Sequence, residues 1–189
     1  MKKIYVIVAI LFATLLGSTV VKAQMSGPDC PDGSWTKPTN CWETEMTFPN
    51  NVVCSLYICY CYKVVDGVTQ YFITACSFGS ACANGIEDFS TILDAAALQL
   101  VKDNPPGFSC PPCPTSGNYT EVKFYPCYRE VSDSVSQTST LEPCSGTGTC
   151  TKTYSVCCII STGVRVVNLI NSSSTATCTG GSECFSMCR

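Results

Sequence analysis

Histidine is missing from all 189 residues. Without it, Ser-His-Asp and Cys-His catalysis, the usual zinc sites of proteases and deaminases, and C-x-x-C-H haem attachment are excluded. Charge is also scarce. Asp, Glu, Lys and Arg together make 13% of the chain, against about 25% in typical soluble domains. No basic run is present, so the phosphate contacts of a nucleic-acid binder have no source. Past residue 23 no apolar run approaches the ~20 residues that a membrane-spanning helix needs. Gly-rich phosphate loops are absent too. Gly146-Thr-Gly148 sits in a polar stretch and lacks the spacing and the following lysine of a P-loop. No calcium-loop pattern occurs.

What the chain has instead is cysteine, seventeen in all. That density marks a disulfide scaffold made in an oxidising compartment. The N-terminus fits this. Lys2 and Lys3 precede an apolar run from Ile4 to Leu16, and Val21 and Ala23 stand where a signal-peptide cleavage site needs small residues. Residues 1–23 therefore read as a signal peptide, and the product as secreted or held at the cell surface. The mature chain keeps every cysteine and carries a formal net charge of −6.

Sixteen cysteines are disulfide candidates: Cys30, Cys41, Cys54, Cys59, Cys61, Cys76, Cys82, Cys110, Cys113, Cys127, Cys144, Cys150, Cys157, Cys178, Cys184 and Cys188. The odd number leaves one free or bonded to another chain. Cys59 and Cys61, two apart in a strand-like run, point to one face; Cys157 and Cys158 are adjacent and point to opposite faces. A metal site is not expected, because Cys110-Pro-Pro-Cys113 is the single C-x-x-C and has no second pair or histidine to complete it. The same motif has the spacing of a redox dithiol, but prolines crowd it and no helical pattern follows. A stapled loop is the better reading. No cofactor is expected.

Residues 24–46 form an extended Pro/Gly-rich lead-in, and 47–189 a single stapled domain. Val52 to Val65 is rich in β-branched and aromatic residues, Asp66-Gly67 follows, and Val68 to Ala75 is strand-like again, which is a strong hairpin signal. One amphipathic helix is readable over 85–103. Asn84 and Glu87 form a capping box at its start, Ile86, Phe89, Ile92, Leu93, Ala96, Leu100 and Val101 recur at helical spacing, and Pro105 stops it. Residues 132–149 are Ser-, Thr- and Gly-rich and read as a mobile loop. Tyr154 to Ile170 is a second strand–turn–strand. A faint repeat at an offset of 96 residues aligns Cys54, Cys61, Gly67, Val68, Ser77 and Cys82 with Cys150, Cys157, Gly163, Val164, Ser173 and Cys178. It suggests two related hairpin units, 54–82 and 150–178, around the helix. In this register Tyr62 matches Cys158, which makes Cys158 the candidate for the unpaired or intermolecular cysteine.

The expected fold is thus α+β: mainly antiparallel β hairpins with one packed amphipathic helix, rich in disulfides. Two functions fit. The first is a structural or surface-assembly subunit that self-associates, cross-linked by disulfides, with strand edges or the lead-in arm as connectors. The second is a monomeric extracellular binding module or inhibitor, using Trp35, Trp42, Tyr57, Tyr60, Tyr62 and Tyr71 to contact a glycan or protein. Catalysis is not expected: Glu43 and Glu45 share a strand face, but surface charge explains them. Asn118-Tyr-Thr120 and Asn171-Ser-Ser173 match the N-glycosylation pattern.

Overall fold

The computed structural model describes residues 27–48, 51–79, 82, 88–113, 118–175, 177–179 and 181–188. The signal-peptide residues, Asn84, Ile86 and Glu87 lie outside them.

The strands form where β-branched and aromatic residues alternate. They are β1 Trp42–Thr47, β2 Val53–Val65, β3 Val68–Gly79, β4 Tyr119–Phe124, β5 Cys127–Asp133, β6 Thr138–Pro143, β7 Gly146–Thr147, β8 Cys150–Cys158, β9 Arg165–Ser174, β10 Thr177–Cys178 and β11 Phe185–Ser186. One helix, α1, spans Phe89–Asp103. The fold is α+β, mostly antiparallel, as the residue pattern predicts.

The β2–β3 hairpin is the spine. Its tip is Asp66-Gly67, both with positive φ (51° and 78°), the geometry that a two-residue turn of this hand requires. Along β2 the even-numbered residues Cys54, Leu56, Ile58 and Tyr60 face the core under α1. Cys59 and Cys61 face the other way, where the lead-in crosses.

The sheet forks on β3. One edge of β3 pairs with β2. The other is shared: Thr69 to Ile73 pair in parallel with β4, and Cys76 to Gly79 pair antiparallel with β6. From there one wing continues β4–β8–β9 and the other β6–β5–β11. Tyr128, fully buried, sits at the fork. Its hydroxyl donates to the Ile73 carbonyl (2.9 Å) and accepts from the Tyr125 N–H (3.3 Å). The parallel β3–β4 pair was not expected from the sequence.

Helix α1 starts later than the 85–103 expectation. Asp88 is extended (φ −141°, ψ 110°) and caps the helix through its carboxylate, which accepts from the Ser90 N–H at 2.9 Å. At the other end Asn104 takes the left-handed conformation (φ 47°). Its side chain accepts from the Tyr71 hydroxyl and donates to the Phe108 carbonyl, tying the helix end to the sheet and to the proline loop. Ile92, Leu93, Ala96, Ala97, Leu100 and Val101 are buried against the sheet.

The expected mobile loop over 132–149 is largely a hairpin. β5 and β6 pair from Tyr128–Pro143 to Asp133–Thr138. Threonine is β-branched and suits a pleated surface, and Ser139 and Leu141 alternate inward. Asp133 closes the turn by accepting from the Val135 N–H and the Ser136 hydroxyl.

All seventeen cysteines are placed. The bridges are Cys30–Cys61, Cys41–Cys59, Cys54–Cys82, Cys110–Cys158, Cys113–Cys157, Cys127–Cys178, Cys144–Cys184 and Cys150–Cys188. Cys158 is therefore not the unpaired cysteine. The proline loop runs beside the end of β8, with the Cys158 N–H on the Pro111 carbonyl (2.7 Å) and the Cys113 N–H on the Cys158 carbonyl (3.0 Å). Its two thiols thus reach both faces of the Cys157-Cys158 pair. The free cysteine is Cys76, expected to be bridged. It points into the core from β3, opposite Ile58 and Leu141, and burial pushes its thiol up to about 12. The two hairpin units differ in their bridges: Cys54 pairs with Cys82, whereas Cys150 and Cys178 pair elsewhere.

Candidate functional site

The aromatic residues suggested as a contact surface are mostly committed internally. Tyr60 and Tyr71 are buried, on the helix side of the sheet rather than facing solvent. Burial pushes the Tyr60 phenol up to about 12 and raises that of Tyr71. Tyr62 stacks edge-on against Phe108 of the proline loop, its ring centroid 5.6 Å away. Trp35 packs edge-on against Phe72 and lies under the Lys63 ammonium at 4.2 Å. Trp42 donates its indole N–H to Asp103 at the end of α1. The Tyr57 hydroxyl donates to Glu43 at 3.0 Å.

The lead-in is not a loose arm. Two disulfides fasten it to β2, Thr36 exchanges both backbone hydrogen bonds with Tyr62, and Trp42–Thr47 is a strand of the sheet. Among the described residues no group of three or more Cys, Asp or Glu is placed to hold a metal ion, and no helix is long and apolar enough to cross a membrane.

The feature left over is a sheet edge. A strand edge presents unpaired N–H and C=O groups, and proteins blunt such edges with charge, proline or brevity. Among the described residues three strands end the forked sheet, and β5 beyond the two residues that β11 covers is a further edge, carrying Arg129, Glu130 and Asp133. β1 has six residues and carries Glu43 and Glu45. β11 has two residues. β9 has ten, roughly 33 Å of extended chain, with no proline, and among the described residues it pairs only with β8. Its one irregularity is a bulge at Ile170, where pairing steps from Leu169–Tyr154 to Asn171–Thr153.

The sequence around β9 is nearly free of charge. Between Lys152 and Glu183 the sole charged residue is Arg165. Its guanidinium is turned inward and donates to the Val101 and Phe108 carbonyls (3.2 and 3.1 Å), an arrangement that complements the negative end of α1. Burial lowers its pKa. Apolar side chains stand outward instead: Leu169 and Ile170 are 52% and 51% exposed, and Ile160 at the β8–β9 tip is 82% exposed. The neck of that hairpin is braced by the Cys110–Cys158 and Cys113–Cys157 bridges.

Beside β9, on the helix side, lies an open groove of about 450 Å³. Ala95 and Leu98 of α1, Tyr154 of β8, and Val167 and Leu169 of β9 line it, and the Asp94–Lys152 ion pair forms part of its wall. The glycosylation-pattern residues Asn118 and Asn171 are both exposed, Asn171 on β9 itself.

Sequence reasoning pointed to strand-rich hairpins as connectors but did not single out β9. The signal was present in the stretch after Lys152, where Arg165 is the one charge before Glu183. Comparison with known proteins finds no matching family model, no similar curated protein and no similar solved structure.

Proposed function

We propose that the mature chain is an exported, non-catalytic structural subunit that assembles non-covalently through the edge of β9. The observation that carries this reading is the contrast among the sheet ends: β1 is acidic, β11 is two residues long beside the charged β5, and β9 is ten residues long with a single charge, Arg165, that is turned inward. Export is supported by the charged-then-apolar leader pattern and by the eight disulfides, which form and persist in an oxidising compartment. A covalent polymer is not supported. Sixteen cysteines are paired within the chain and the seventeenth is buried.

The test is the mass of the native, unreduced mature protein by sedimentation over a wide concentration range, alongside a Leu169→Lys variant. The expected result is reversible association of the wild type that Leu169→Lys weakens at least tenfold, with a single-chain band on a denaturing, non-reducing gel. A wild-type protein that stays monomeric to millimolar concentration refutes the reading.

A further inference from the structure

We propose that the partner of β9 is β9 of a second copy, antiparallel, about a two-fold axis at Asn168, so that one sheet runs through both molecules. The inference rests on the reading of β9 as the assembly edge and adds its geometry.

The first argument is closure. A head-to-tail filament joins two different surfaces and needs both to be open, whereas a two-fold interface uses one surface twice. Here a single edge lacks the usual protection.

Charge then selects the strand direction. With the axis at Asn168, the two Arg165 residues stand at opposite ends of the paired segment, each beside the partner's Ile170 bulge. Their backbones are separated by six residues along the strands, about 20 Å, well beyond the ~8 Å screening length at physiological salt. A parallel pairing in register would set them about 5 Å apart.

The groove provides the third argument. Leu169 faces the helix side of the sheet, because it pairs with Tyr154, which is buried in the core. A two-fold axis perpendicular to the sheet keeps faces the same, so the partner's Leu169 also lies on the helix side. There it packs over Val167 and toward Ala95 and Leu98, covering apolar surface that the monomer leaves open. Leu169 and the partner's Leu169 fall on neighbouring strands two residues apart, about 8 Å.

That distance supplies the experiment. Leu169→Lys and Leu169→Glu are made separately, checked for native circular dichroism, and sedimented alone and as an equal mixture. Two-fold pairing predicts a wild-type ceiling at twice the monomer mass, a dissociation constant raised at least tenfold in either variant alone, and recovery of the dimer in the mixture. Failure of the mixture to recover, or a wild type that grows past the dimer and is dissolved by either variant, overturns the two-fold geometry and leaves the β9 edge standing. Association unchanged in both variants overturns the edge and the geometry together. Amide exchange gives an independent reading: protection over 165–171 should rise with concentration, and its constancy where the mass doubles also overturns both.

Discussion

Replacing Tyr128 with Phe removes one oxygen atom from the point where the sheet divides. Pairing of β3 with β4 ends at Ile73–Phe124, and pairing with β6 begins at Cys76–Leu141. Thr74 and Ala75 fall in the gap. Tyr128 fills it: its hydroxyl donates to the Ile73 carbonyl at 2.9 Å and accepts from the Tyr125 N–H at 3.3 Å, with no exposed surface. Phenylalanine keeps the ring and its packing, so the cost is that of the Ile73 carbonyl losing this donor and the Tyr125 N–H losing this acceptor. That cost is about 1–3 kcal/mol. Tyr57→Phe is the control, since the Tyr57–Glu43 bond is at the surface and its loss should cost less than about 0.5 kcal/mol. Equilibrium unfolding in guanidinium with the disulfides intact reads both, using the fluorescence of Trp35 and Trp42. With a slope of about 4 kcal/mol/M, Tyr128→Phe should lower the midpoint by roughly 0.25–0.75 M. A midpoint matching that of Tyr57→Phe would refute the assignment of the fork to this hydroxyl.

Two further predictions concern titratable groups in the core. Cys76 should resist alkylation in the native protein and take up one label per chain once unfolded, because burial raises its thiol to about 12 and closes access; rapid native labelling would place it at the surface instead. Burial also raises the phenols of Tyr60 (to about 12), Tyr71, Tyr128 and Tyr154 above the usual value near 10. In the unfolded chain these phenols lose protons from about pH 10, while the native chain holds them. The unfolded state then binds fewer protons, so stability falls as pH rises above about 10 and keeps falling to about 12 and beyond. Phenolate absorbance should therefore show a silent fraction that appears together with loss of near-ultraviolet dichroism, and complete titration near pH 10 with the fold intact would contradict it.

The sequence made visible those features that depend on neighbouring residues. Asp66-Gly67 announces its hairpin because few residue pairs tolerate two positive φ angles in a row. The helix stripe from Phe89 to Val101 is equally local, though the cap is Asp88, inside the expected 85–103 span. The β5–β6 hairpin was hidden because serine and threonine serve loops and strands alike, and only pairing with β3 decides between them. Disulfide partners were hidden for the same reason. Cys158 meets Cys110 only because the proline loop returns alongside β8, 48 residues away in sequence. The fork is less local still, since it requires β4 and β6 to share one edge of β3.

The placement of the bridges also bears on function. A 15-residue helix is about 22 Å long, and α1 lies mainly against β1 to β4 and β9, reaching the β5–β6–β11 wing only where Phe89 at its start meets Phe185 (ring centroids 5.4 Å). That wing is tied in by Cys127–Cys178, Cys144–Cys184 and Cys150–Cys188, while Cys30–Cys61 and Cys41–Cys59 hold the lead-in over the opposite face. Cross-links with loops of this size contribute about 3–4 kcal/mol each in the chain-entropy account. They take the place of a second packed layer. A monomer secured in this way gains little from Leu169 and Ile170, which stand half-exposed on a strand that contains no cysteine. Apolar side chains that do so little for the fold, on a sheet end whose one charge is turned inward, are the surface that the proposed assembly through β9 would cover.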